Sequence, residues 1–125
     1  MELADLDVLI VDDHEAIRTL LTRVLTKAGV TNVRSAASGA EALAELAARP
    51  ASVILADNSM PGMSGMEFIA EVRARHGAQP RIIMVSGASS LAHATEAKTA
   101  GADEVLVKPV LAKDLLTAIN TLFAV

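Results

Sequence analysis

The sequence predicts a doubly wound (βα)5 domain, an α/β fold in which a five-stranded parallel sheet is covered by helices on both faces. Three observations lead there. Short apolar runs alternate with longer stretches of helical periodicity along the whole chain. The central runs are apolar at consecutive positions, as strands buried on both faces are, which implies parallel strands joined by right-handed crossovers. The 125 residues match one compact domain, so residues 1–125 are read as a single unit with no linker and no internal repeat.

The elements follow in order. Val8-Leu9-Ile10-Val11 is the first strand. A helix at about residues 14–28 carries Ile17, Leu20, Leu21, Val24, Leu25 and Ala28 at three- and four-residue spacing, a face expected to lie on the sheet, and Gly29 closes it. Val33-Arg34-Ser35-Ala36, the least apolar run, suits an edge strand. Ser38 and Glu41 fit a capping box opening a helix at 39–48, and Ser64 with Glu67 repeats the pattern before 65–76, which ends at Gly77. Val53-Ile54-Leu55-Ala56 and Arg81-Ile82-Ile83-Met84-Val85 are the third and fourth strands. A helix at 90–100 turns Ala94, Ala97 and Ala100 toward the sheet and stops at Gly101. Glu104-Val105-Leu106-Val107 and a helix at 112–123 complete the domain.

Composition narrows the function. With 52% hydrophobic against 21% charged residues and a mean hydropathy of +0.42, the chain has material for a core. Fifteen acids against eleven bases give a net charge of -4 and no basic run, so neither nucleic acid nor an anionic membrane is expected as a direct partner. Zero cysteines exclude a disulfide framework and a thiolate site. The start lacks the basic segment of a signal peptide and no apolar stretch is long enough to span a bilayer, which predicts a cytoplasmic protein. Phe68 and Phe123 are the only aromatics, too few for a stacking platform.

In open α/β sheets, ligands bind beyond the carboxyl ends of the strands. The residues there are Asp12 and Asp13 after the first strand, Asp57 after the third, Ser86 after the fourth, and Lys108-Pro109 after the fifth. Two carboxylates ~5 Å apart at an effective dielectric of ~20 repel by roughly 3 kcal/mol, while a whole domain is stable by ~5–15 kcal/mol. A bound cation is therefore expected, and a hard divalent ion, Mg²⁺, suits a carboxylate set that also receives a phosphate oxygen. The same repulsion predicts that Asp13→Asn or Asp57→Asn raises the metal-free melting temperature. With a metal and a lysine in place, a carboxylate can attack phosphorus and form an aspartyl phosphate.

These residues carry a family resemblance. Through Val8-Leu9-Ile10-Val11-Asp12-Asp13, Asp57-Asn58-Ser59-Met60-Pro61-Gly62-Met63-Ser64-Gly65, Ser86 and Lys108-Pro109, the chain resembles a response-regulator receiver domain of two-component signalling, of the chemotaxis-regulator kind, over essentially its full length. The resemblance implies a flavodoxin-like strand order 2-1-3-4-5. It implies that Asp57 accepts phosphate from a histidine kinase or phosphotransfer protein, and that Asp13, Asp57 and the Ser59 carbonyl bind Mg²⁺ while Asp12 assists through water. Lys108 would contact the phosphoryl group, Ser86 would turn toward it, and the Lys108-Pro109 bond would be cis. Such a chain is a self-phosphorylating and self-dephosphorylating acceptor rather than a turnover enzyme. Its output is a changed affinity for a downstream target protein; a homodimer is compatible with it, and so is excision from a longer regulator.

One position departs from the family's pattern: Val105 stands where receivers often carry Tyr or Phe, so a ring-flip readout is impossible there. Ser59 and Ala88 are small at positions that tune dephosphorylation in similar domains. Plainer readings compete at each position. Asp12 with Glu15 can cap the first helix, Asp57 can open a Pro-Gly turn, and Ser86 and Lys108 can be a loop serine and a solvated lysine. His14, His76 and His93 share no metal-site spacing and are expected on the surface, while Met60, Met63 and Met66 are expected to pack around the active mouth. Two other functions fit the same residues: a phosphorylation-independent interaction module, favoured by Val105, and a Mg²⁺-dependent phosphatase, for which no substrate pocket is evident in the sequence.

Overall fold

The computed structural model describes residues 2–87 and 91–123, with side chains for all of these but 91–93. After a single 3-10 turn, Leu3–Asp5, the elements run β1 (Asp7–Val11), α1 (Glu15–Ala28), β2 (Asn32–Ala36), α2 (Gly39–Ala48), β3 (Val53–Asp57), α3 (Gly65–His76), β4 (Arg81–Ser86), α4 (Leu91–Ala100), β5 (Glu104–Val107) and α5 (Ala112–Phe123). All pairings are parallel and the order is β2-β1-β3-β4-β5. The initial turn is absent from the sequence reading; one turn is too short to show periodicity. The predictions for Ala88 and the His93 side chain lie outside the described residues.

The consecutive apolar residues divide between two cores. Leu9, Val11, Ile54, Ala56, Ile82 and Met84 face α2, α3 and α4, meeting Leu43, Leu46, Phe68, Ile69, Val72 and Ala97. Val8, Ile10, Val53, Leu55 and Ile83 face α1 and α5, meeting Leu21, Leu25, Leu115, Ala118 and Ile119. Side chains alternate across a strand, so both sets must be apolar for a strand covered on both faces. Met60, Met63 and Met66, expected around the active mouth, pack against the first core, and so do Ala100 and Val105.

Two local expectations change. Leu20 is 52% exposed, because on the helical wheel it lies about 100° from Leu21, off the buried stripe. Of the two capping boxes, Ser64 and Glu67 bond reciprocally. The Ser38 hydroxyl accepts from the Glu41 N–H, but the Glu41 carboxylate takes the N–H of Ala37 instead of that of Ser38. At the end of the sheet opposite the strand-end carboxylates, Arg73 donates to the carbonyls of Gly101 and Pro80 and pairs with Asp103, fastening α3 to the turn before β5.

Candidate functional site

Strand register assembles the site. Val11 pairs with Ala56, and Asp57 with Val85, so Asp12 and Asp57 follow one another across the sheet's carboxyl edge. The pairing extends one step further through Asp12 N–H to the Ala36 carbonyl, Asn58 N–H to that of Val85 and Lys108 N–H to that of Ser86. Lys108-Pro109 is cis, as the resemblance implies, and Gln79-Pro80 is cis as well. Asp12, Asp57 and Ser86, at 3%, 2% and 1% exposure, are the buried polar or charged residues among those described. Burying such groups costs free energy, so their collection at one edge marks a site rather than a fold requirement.

Each predicted residue has its place. Lys108 Nζ lies 2.8 Å from Asp57 Oδ1, so it is not a solvated lysine. Both Asp57 carboxylate oxygens and Asp13 Oδ1 are buried atoms that accept no hydrogen bond; Lys108 meets Asp57 as a charge contact. Asp12 does not cap α1. The N-cap is His14, and Asp12 Oδ1 accepts the His14 backbone N–H at 2.8 Å in a local turn. Ser86 ends β4 facing inward, which removes its reading as a loop serine. Ser59 is exposed on the loop after β3. That loop folds back tightly, with Gly65 N–H donating to the Asn58 carbonyl at 2.9 Å. A Cβ on Gly65 would come within 2.6 Å of Asp57 O and Asn58 Cα, so only glycine permits the approach.

Three features escaped the sequence reading. The His14 ring is surface-exposed as expected, yet its Nδ1 lies 3.0 Å from Asp12 Oδ1 and 3.2 Å from Asp13 Oδ1. Arg18 Nη1 donates to the Asp12 carbonyl at 2.7 Å, holding the end of β1 to the first turn of α1. No sequence signal marked it, because the contact depends on the side chain folding back from α1 onto the end of β1. Finally, a cavity of about 460 Å³ opens beside Asp12, Asp57 and Lys108, between Ile17 and Leu20 on one side and Pro109 and Val110 on the other. Its lining is mainly aliphatic, unlike a site for a polar phosphomonoester.

The donor set suits a divalent cation. Ligand atoms of Asp12, Asp13, His14 and Asp57 all lie within 4.8 Å of one another, and the buried Asp57 Oδ2 has no partner. Carboxylate oxygens are what Mg²⁺ accepts.

A five-stranded parallel sheet in this order, with three carboxylates and a lysine at its carboxyl edge, defines the receiver domain of two-component response regulators. The chain belongs to that family, the response regulator receiver domain, which matches residues 8–120. Among its relatives, chemotaxis protein CheY of Bacillus subtilis is 34% identical over 113 residues, 90% of this chain and 93% of that protein. The DNA-binding transcriptional regulator NtrC of Escherichia coli is 40% identical over 100 residues, 80% of this chain; the match spans about a fifth (21%) of NtrC. Of solved structures, CheY4 of Vibrio cholerae superposes with a TM-score of 0.87 at 35% identity, over 94% of this chain and 98% of that one. A CheX–CheY–BeF3–Mg²⁺ complex from Borrelia burgdorferi gives 0.89 at 26% identity, over 94% and 89%. Receiver domains bind Mg²⁺ through acidic residues of this kind and interact with histidine kinases and downstream effectors. Among the described residues no helix is long and apolar enough to cross a membrane.

Proposed function

We propose that this chain is a cytoplasmic, phosphorylation-controlled switch in which Asp57 accepts a phosphoryl group and thereby changes the domain's affinity for a downstream protein. The observation that carries the reading is Asp57 itself: a carboxylate 2% exposed, with an unpartnered Oδ2 and a lysine ammonium 2.8 Å from Oδ1. A carboxylate held this way is desolvated on the attacking oxygen and oriented through the other.

From a phosphohistidine of a histidine kinase or phosphotransfer protein, an Asp57 oxygen forms the new P–O bond as the N–P bond breaks and the imidazole leaves with its electron pair. Lys108 then shifts its charge from the carboxylate to a phosphoryl oxygen, and Ser86, on the neighbouring strand end, can donate its hydroxyl to another. Asp12, Asp13, Asp57 and the Ser59 carbonyl would hold Mg²⁺, which supplies charge neutralisation at the phosphoryl oxygens. Arg18 and the tight Gly65 turn keep the two acidic strand ends in place throughout.

The test is intact mass after incubation with acetyl phosphate, with and without Mg²⁺, for the wild type and Asp57→Asn. A single phosphoryl adduct that requires Mg²⁺ and is lost in the variant is expected. Absence of the adduct in the wild type with every donor would instead support a phosphorylation-independent interaction module, the reading favoured by the partly buried Val105, which packs into the core where an aromatic switch would move.

A further inference from the structure

The strand-end cluster holds one group that an all-oxygen magnesium site does not call for. The imidazole of His14 turns back over the acidic pair, with Nδ1 3.0 Å from Asp12 Oδ1 and 3.2 Å from Asp13 Oδ1. The ring hydrogen-bonds the Asp12 carboxylate through Nδ1. It makes no capping bond to α1, it is 62% exposed, and the contact that secures this residue's backbone comes from its own N–H.

Those two separations are informative. Adjacent ligands ~2.1 Å from one six-coordinate ion lie about 3.0 Å apart, the square root of two times the bond length. The ring nitrogen is thus within the spacing of a fellow ligand to Asp12 and Asp13, a spacing that its hydrogen bond to Asp12 also sets. An independent sign that an ion belongs there is Asp57, nearly fully buried, whose Oδ2 has no partner and whose carboxylate lies within 4.8 Å of the other three ligand atoms.

We propose that His14 is a further, nitrogen ligand of this site, so that the site takes a divalent transition ion such as Mn²⁺, Co²⁺ or Ni²⁺ in preference to Mg²⁺. The inference rests on the reading of the same site as a metal site and adds its selectivity. Mg²⁺ is hard, gains little from imidazole and keeps its waters, whereas the affinity of a site with a nitrogen donor rises along the first-row series. Removing the ring should therefore leave Mg²⁺ binding nearly untouched and weaken the later ions.

The experiment is calorimetric titration of the full chain with Mg²⁺ and Ni²⁺, for the wild type, His14→Ala and the exposed-histidine control His76→Ala, with pulsed EPR of the Mn²⁺-loaded proteins. The ratio of Ni²⁺ to Mg²⁺ affinity is expected to fall at least about tenfold in His14→Ala and to stay unchanged in His76→Ala, tenfold being the lower end of what losing a single supporting group costs a metal site. The Mn²⁺ spectrum should show coupling to a directly bound nitrogen in the wild type and His76→Ala and none in His14→Ala. An unchanged affinity ratio, or wild-type Mn²⁺ with no nitrogen coupling, overturns the role of His14 while Mg²⁺ binding keeps the metal site intact. A wild type that binds none of these ions overturns the metal site itself.

Discussion

Replacing Asp13 by Asn keeps its shape and removes one charge from the cluster, and the structure sets the size of the effect. The ligand oxygens of Asp12, Asp13 and Asp57 lie within 4.8 Å of one another. Like unit charges at that distance and an effective dielectric of ~20 repel by about 3.5 kcal/mol. The Asp13 side chain is 28% exposed and His14 Nδ1 stands 3.2 Å away, so solvent and the imidazole screen much of this, leaving a relief of ~1–2 kcal/mol. For 125 residues the unfolding entropy is ~0.26 kcal/mol/K, so each kcal/mol moves the melting temperature by ~4 °C. Asp13→Asn should therefore melt ~4–8 °C above the wild type in chelator. Mg²⁺ at a hundred times its Kd stabilises the wild type by ~2.7 kcal/mol, about 10 °C, and the variant by less, so the two curves converge or cross as Mg²⁺ is added. Asp57→Asn differs, because Lys108 Nζ at 2.8 Å already offsets the Asp57 charge. Its gain should be smaller than that of Asp13→Asn, where the sequence alone predicted a rise for both. Differential scanning calorimetry in chelator and in Mg²⁺ decides the matter: an Asp13→Asn protein that melts at or below the wild type without metal refutes the repulsion argument.

Four further outcomes are expected. Gly65→Ala should destabilise by ~1–3 kcal/mol and slow phosphoryl uptake, since its Cβ would strike backbone 2.6 Å away at Asp57 and Asn58; urea unfolding and adduct kinetics read both. Asp103→Ala should cost ~2–4 kcal/mol, because Arg73, Arg81 and the Ile82 N–H each lose an acceptor, and a loss of under half that size in urea unfolding would refute the network. Ser64→Ala should cost ~1 kcal/mol of helix capping. The Ser64 backbone N–H, and secondarily its hydroxyl, hold the Glu67 carboxyl below the usual glutamate range. A carboxylate lowered in the folded state stabilises above its unfolded value, and that contribution disappears as pH falls through the lower folded value. Stability measured against pH should accordingly lose an acid step in Glu67→Gln; an unchanged acid limb would contradict it.

Most of the fold was legible because each signal was local. Ser64 and Glu67, Gly29 and Gly101, and the consecutive apolar residues of β1, β3 and β4 announce their roles within a few positions. The site was legible for a different reason: the parallel sheet brings every strand's carboxyl end to one edge, so Asp12, Asp57, Ser86 and Lys108 could be placed together before any distance was known. What stayed hidden depends on side-chain direction. The ring of His14 could have pointed to solvent like that of His76, and nothing in the run Asp12-Asp13-His14 states that its Nδ1 returns over both carboxylates. Leu20 was misplaced for a related cause, since a helical stripe shows which residues share a side but not where the stripe's margin meets solvent.

The same register that builds the site explains how it can be sustained. Asp12 and Asp57 follow directly on Val11 and Ala56, residues locked in the two central strands, with Leu9, Ile10, Ile54 and Leu55 fully or almost fully buried beneath them. Each such aliphatic side chain contributes ~1.5–3 kcal/mol relative to exposure. A few kcal/mol of charge repulsion at the edge is therefore outweighed by the layer immediately below, and neither strand end can retreat without unpairing that layer. The carboxylates are held near one another against their own repulsion, leaving relief to what arrives from outside: a cation among the oxygens, or, in the function proposed above, a phosphoryl group that converts Asp57 into an acyl phosphate and draws Lys108 away from it.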